Sequence, residues 1–125
     1  MEAHVARVLI VDDEPEVAKA LRRMLTRRGF EVDVATSARE GLAHLEAFSP
    51  DIVISDYRMP GMKGPELLDE VSRRAPSAAR FHISGQMDLG SSVPDLGPHH
   101  ILAKPWNNDE LVARLLRALE GRPSP

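Results

Sequence analysis

Two short runs of continuously apolar, mostly β-branched residues set the frame of the chain: Val8-Leu9-Ile10-Val11 and Ile52-Val53-Ile54. Such runs lack the alternation of a half-exposed strand and predict parallel strands covered on both faces. Between them, Pro15 stands where a first helical turn tolerates proline, and Val17, Leu21, Met24 and Leu25 recur at helical spacing until Gly29. That pattern predicts a first helix. Residues 31–35 alternate as a second strand, and Ser37 with Glu40 forms a capping box that opens a second helix through Leu42 and Leu45.

After the third strand, Met59-Pro60-Gly61-Met62-Lys63-Gly64 is a turn-rich loop, and Pro65 with Leu67, Leu68 and Val71 predicts a third helix. Residues 80–83 and 100–103 read as strands four and five. A last helix is expected to start near Asn107, to carry Asp109 and Glu110 in its first turn, and to bury Leu111, Leu115, Leu116 and Leu119. One stretch breaks the regularity. Residues 86–99 hold Gly90, Pro94, Gly97 and Pro98, so the helix expected between strands four and five is short, distorted or partly absent.

Strands alternating with helices through short connections imply a right-handed, open, doubly wound parallel sheet with helices on both faces. For five strands the flavodoxin-like order 2-1-3-4-5 fits, and function is then expected at the carboxyl ends of the strands, around strands one and three. Composition agrees with one such domain. The 125 residues are 42% hydrophobic and 28% charged, which excludes disorder as the main state. With 16 Lys+Arg against 19 Asp+Glu there is no global basic footprint, so direct nucleic-acid binding is not expected. Cysteine is absent, excluding disulfides and thiolate chemistry. No apolar stretch suits a signal peptide or a membrane span, so a cytoplasmic location without membrane insertion is expected. The domain is read as residues 1–120, with 121–125 a linker stub or frayed tail.

The residues that end the predicted strands are all polar: Asp12 and Asp13 after strand one, Asp56 after strand three, Ser84 after strand four and Lys104 after strand five. Taken alone, the acid pair reads as a cap for the first helix, Asp56 as a turn residue and Ser84 as a turn hydroxyl. Together they place three carboxylates, a hydroxyl and an ammonium in one cleft. Three carboxylates that close repel one another unless protons or a cation offset the charge, and oxygen ligands with phosphate suit Mg²⁺. Lys104 precedes a helix N-terminus, where a cation is disfavoured unless an anion sits beside it.

These segments, Val8 to Pro15, Asp51 to Gly64, Ile83-Ser84-Gly85 and Lys104-Pro105-Trp106, closely resemble the receiver domain of two-component response regulators, over essentially the whole chain. The resemblance implies that Asp56 accepts a phosphoryl group from a histidine kinase, a phosphotransfer protein or a small phosphodonor. It implies Mg²⁺ held by Asp13 directly, Asp12 mainly through water, Asp56, and the backbone carbonyl of Arg58. Lys104 would contact the phosphoryl group, Gly85 would leave room for it, and Ser84 would be the switch hydroxyl that turns toward it. The signal would pass by conformational change to a downstream protein target or a fused output domain. Arg58 and Gln86 match positions that influence the lifetime of the phosphorylated state. Lys104-Pro105 matches a turn in which the proline bond is cis.

Two departures stand out. The aromatic usual three residues before the lysine is Ile101 here, and the segment 86–99 lacks a helical pattern where partners commonly read receivers. They motivate an alternative, a receiver-like interaction module that signals without phosphorylation. The complete set Asp12, Asp13, Asp56, Ser84 and Lys104 weighs against it. A phosphatase using an aspartyl nucleophile would want a second acid where Arg58 stands, so the chain is read as a switch rather than an enzyme. Few residues follow Leu119, which fits either a single-domain regulator or a receiver cut from a longer chain. Trp106 reads as helix-edge packing. Lys19, Arg22, Arg23, Arg27 and Arg28 read as a solvated helix surface, with kinase docking as the minority reading.

Overall fold

The structure, a computed structural model, describes residues 5–56, 64–84, 100–103 and 106–121. The element order is β1 (Arg7–Val11), α1 (Pro15–Arg27), β2 (Glu31–Ala35), α2 (Ala38–Phe48), β3 (Ile52–Asp56), α3 (Gly64–Arg74), β4 (Ala79–Ser84), β5 (His100–Ala103) and α4 (Asn108–Gly121). All four strand pairings are parallel, in the order β2-β1-β3-β4-β5. The expected doubly wound sheet is therefore present. The segment 86–99, on which the reading of an irregular helix rests, lies outside the described residues.

Alternation along the central strands builds two separate cores. Val8, Ile10, Ile52, Ile54, Phe81 and Ile83 pack with Leu21 and Leu25 of α1 and Leu111 and Leu115 of α4. Leu9, Val11 and Val53 face the other way, onto Leu45 of α2 and Leu67, Leu68 and Val71 of α3. Both faces of β1 and β3 are thus covered, as their unbroken apolar runs require. Each of these fully buried aliphatic or aromatic side chains contributes about 1.5–3 kcal/mol over its exposed state.

Local chemistry sets the helix ends. Gly29 adopts φ +93°. The Phe30 amide then bonds the Leu25 carbonyl at 3.1 Å and the Gly29 amide bonds that of Thr26 at 3.2 Å, the paired bonds of a Schellman end. Ser37 Oγ accepts from the Glu40 amide at 3.1 Å, as the capping box predicts, but the Glu40 carboxylate reaches back to the Thr36 amide rather than to that of Ser37. Asn107 Oδ1 caps α4 by accepting from the Glu110 amide at 2.9 Å.

Leu116 corrects the sequence reading: it was expected in the core and is 49% exposed, while Val112 is 9% exposed and packs inward. At about 100° per residue, the buried arc centres between Leu111 and Leu115, which carries Leu116 past its edge and Val112 within it. Leu119 is partly buried against the same core. On α1, Ala18 is buried with Leu21 and Leu25, and Val17 and Met24 are half-buried at the margin.

Arg7 ties the end of the sheet that bears the strand amino-termini. Its amide donates to Asp51 Oδ2 at 2.8 Å, its Nε to Glu31 Oε2 at 3.0 Å and its Nη1 to the Phe48 carbonyl at 2.9 Å, with the guanidinium over the Phe48 ring. At the opposite end, α2 comes so close to β1 that a Cβ on Gly41 would lie 2.8 Å from Val11 Cγ2. The Val11 side chain is fully buried and has no flexible reach with which to retreat. Gly41→Ala is expected to lose about 1–2 kcal/mol net, the overpacking cost exceeding the gain in helix propensity. Denaturant unfolding checks this, and an unchanged or higher midpoint would mean that α2 can shift without loss.

Candidate functional site

The register places Val11 beside Ser55 and Asp56 beside Ile83. Asp12, one residue past β1, therefore stands at the level of Asp56, the last residue of β3, and Ser84 ends β4 one residue beyond that level. The Asp12 amide bonds the Ala35 carbonyl at 3.0 Å, continuing the ladder one step past β1. Its Oδ1 accepts from the Glu14 amide at 2.8 Å. This short Asx-type turn bends the chain out of the strand and into α1. The capping reading of the acid pair is thus refined: Glu14 occupies the N-cap position without a side-chain bond, and Asp12 braces it.

One carboxylate oxygen from each of Asp12, Asp13 and Asp56 lies within 4.8 Å of the others. Asp12 is 2% exposed and Asp56 6%, whereas Asp13 is partly open to solvent. Three anions in that space, two of them drawn out of water, repel strongly and are stabilised by a hard cation with oxygen ligands. The donor set fits Mg²⁺: all oxygen, multiply charged, and open on the Asp13 side to water ligands. Sequence reasoning therefore brings Asp12, Asp13 and Asp56 to one place correctly. Arg58, Gly85, Gln86, Lys104, Pro105 and the side chains of Ser84 and Ile101 lie outside the described residues.

Beneath the carboxylates the sheet carries polar groups that the sequence reading passed over. Ser55 and His82 are register partners and both are fully buried. Ser55 Oγ donates to the Asp56 carbonyl at 2.9 Å. Farther down β4, Arg80 is 8% exposed and gives Nη1 to the Ala78 carbonyl at 3.0 Å. Burial lowers its guanidinium from the ordinary arginine range, opposed by the carboxylate of Asp69. A serine, a histidine and an arginine within strands of otherwise mostly apolar residues are the available signal.

The flanks are plainer. Trp106 packs at the edge of the α1/α4 core and its Nε1 donates to Asn108 Oδ1 at 3.0 Å, in accord with a packing role. Lys19, Arg22, Arg23 and Arg27 are exposed, as a solvated helix surface requires. Arg28 Nη2 reaches Asp109 Oδ1 at 2.7 Å, a largely exposed pair linking α1 to α4. No helix among the described residues is long and apolar enough to cross a membrane.

An open parallel α/β sheet in this order has its site at the carboxyl ends of its strands, around β1 and β3, and the carboxylate cluster lies there. The response regulator receiver domain family model matches residues 8–116, and the chain belongs to that family. It is 38% identical over 120 residues to the hydrogenase transcriptional regulatory protein HoxA of Cupriavidus necator, covering 94% of this chain and 25% of that protein. It is 35% identical over 114 residues to the transcriptional regulatory protein KdpE of Mycobacterium tuberculosis, covering 90% and 50%. Among solved structures, a response regulator receiver domain protein from Clostridium thermocellum superposes with a TM-score of 0.84 at 29% identity, covering 93% of this chain and 95% of that one. The chain thus spans a quarter to a half of these two transcriptional regulators and nearly all of the solved receiver domain. It is a phosphoacceptor receiver domain of two-component signalling.

Proposed function

We propose that Asp56 is the phosphoacceptor, and one observation carries the assignment: its buried carboxylate shares a 4.8 Å cluster with Asp12 and Asp13 at the carboxyl edge of the sheet. A carboxylate oxygen of Asp56 attacks the phosphorus of a phosphohistidine or a small acyl phosphate. The P–N or P–O bond of the donor breaks, the leaving imidazole or carboxylate departs with its electron pair, and a mixed anhydride remains on Asp56. Hydrolysis reverses the state: water attacks phosphorus, orthophosphate leaves, and the Asp56 carboxylate returns.

Asp12, Asp13, Asp56 and the main-chain carbonyl of Arg58 would hold Mg²⁺. When bound, the ion supplies charge neutralisation for the transferring phosphoryl group and relieves the repulsion among the three carboxylates. Burial of Asp12 and Asp56 keeps bulk water from their carboxylates, while Asp13 is partly open to solvent. Ser84, Gly85 and Lys104 are assigned to the phosphoryl oxygens, on the strength of their sequence positions at the carboxyl ends of β4 and β5. The domain is taken as residues 1–120, and α4 runs one residue past that bound, to Gly121.

The donor is a histidine kinase or a phosphotransfer protein, acting in the cytoplasm. The output goes to a downstream protein or to a fused output domain rather than directly to nucleic acid or membrane. The share of HoxA and KdpE that the match covers, a quarter to a half of a transcriptional regulator, supports a fused output domain. Intact mass after incubation with acetyl phosphate and Mg²⁺ tests it. One added phosphoryl group, lost on brief treatment with hydroxylamine, is expected. A mass that never changes, together with amide spectra indifferent to beryllofluoride and Mg²⁺, would overturn the assignment.

A further inference from the structure

β3 is buried over its whole length, yet its residue before Asp56 is a serine rather than another aliphatic. A hydroxyl with no solvent access is costly to place there unless it is bonded, and a β-branched apolar residue would suit the strand better. Ser55 is fully buried between Val11 of β1 and His82 of β4, and its Oγ donates to the main-chain carbonyl of Asp56 at 2.9 Å.

We infer that Ser55 is a positioning residue for the phosphoacceptor: its hydroxyl holds the peptide leaving Asp56 and thereby fixes the Asp56 carboxylate against Asp12 and Asp13. The inference rests on the proposed role of Asp56. The carbonyl that accepts the bond belongs to the peptide plane through which β3 passes into the following loop. The bond closes a ring that contains both φ and ψ of Asp56; φ sets the direction in which the side chain leaves the strand, and ψ that of the onward chain. The restraint has something to work against. Three carboxylates within 4.8 Å push one another apart, and of the three Asp56 stands on a strand by itself while Asp12 and Asp13 are consecutive. A local bond one residue upstream holds the geometry without adding a further group to the cleft.

Three variants separate the hydroxyl from the shape it occupies. Ser55→Ala removes the bond and a little volume. Ser55→Val and Ser55→Thr have nearly the same shape as each other and differ in the hydroxyl. Two readouts are taken: the phosphorylation rate with acetyl phosphate, and Mg²⁺ affinity from amide shifts of the unphosphorylated protein. Ser55→Thr is expected within about twofold of the wild type in both. Ser55→Ala and Ser55→Val are expected to be phosphorylated about three- to tenfold more slowly and to need about three- to tenfold more Mg²⁺, the scale of one hydrogen bond. Thermal unfolding should not follow that order, because valine favours a buried strand.

Ser55→Val matching the wild type in rate and Mg²⁺ affinity would overturn the inference, as would Ser55→Thr behaving like Ser55→Val. Should the wild type itself take no phosphoryl group and its amide spectra ignore beryllofluoride, the assignment of Asp56 falls. The Mg²⁺ titrations of the variants then still decide whether Ser55 orders the carboxylates.

Discussion

Asp56→Asn is expected to take up no phosphoryl group from acetyl phosphate, whereas the wild type should acquire one. The carboxamide has almost the shape of the carboxylate, so packing at the end of β3, where Asp56 is 6% exposed, is retained. What is lost is the nucleophile: an amide oxygen lacks the negative charge that attacks phosphorus and leaves no stable anhydride behind. Turnover should fall below detection, a loss on the order of a thousandfold or more by the scale of nucleophile removal. The same substitution has a second consequence of opposite sign. In chelator, removing one of three clustered anions relieves two repulsions, so the variant should unfold later than the wild type, by roughly 1 kcal/mol. Intact mass and a thermal melt with chelator present measure the pair. A phosphorylated Asp56→Asn protein would move the acceptor elsewhere, and a lower melting point would mean that the carboxylates are not repelling one another.

Stripping Mg²⁺ is expected to be nearly as severe. Chelation should slow phosphoryl uptake on the order of a hundredfold or more, because the transferring group then meets three carboxylates without the ion's positive charge. Binding is also linked to stability. At a hundred times its dissociation constant, Mg²⁺ should raise the unfolding free energy by about 2.7 kcal/mol. Asp13→Asn supplies the control. Asp13 is the partly open member of the cluster, with Asp12 and Asp56 buried, so it can be neutralised with little disturbance of packing. Its variant should lose most of the Mg²⁺-induced stabilisation and most of the Mg²⁺-dependent rate together. Retention of both would remove Asp13 from the metal site. Ca²⁺ should substitute poorly, since a cleft with few protein ligands suits the smaller ion.

How much of this was legible beforehand depends on how locally each feature is written. β2 falls where its alternation puts it, and β5 falls on the short apolar stretch read at 100–103. β4 runs one residue farther at each end than expected, through Ala79 and Ser84, small residues whose pairing is decided by neighbouring strands. Leu116 was misplaced because helical spacing ranks leucines without saying where the centre of the buried arc lies. Val112, a weaker hydrophobe, took the place by geometry. Asp12, Asp13 and Asp56 were legible as a site since topology alone brings the carboxyl ends of β1 and β3 together. Ser55 was not. The apolar run is read only as far as Ile54, and the hydroxyl that follows it carries no signal of its own; only its burial and its bond to the Asp56 carbonyl reveal a separate task. Gly41 was passed over for a like reason, since the closeness of α2 to Val11 is a property of packing and not of either segment.

Arg7 bears on how freely such a domain can be altered. Its amide and side chain fasten β1 to Asp51, Glu31 and Phe48, all at the edge of the sheet opposite the acidic cluster. Cohesion and chemistry therefore occupy opposite poles of the same strands. Substitutions at the carboxyl pole can retune metal affinity or phosphoryl lifetime while the other pole keeps the strands in register, which makes the domain a scaffold whose reactive end can diversify without its architecture being renegotiated.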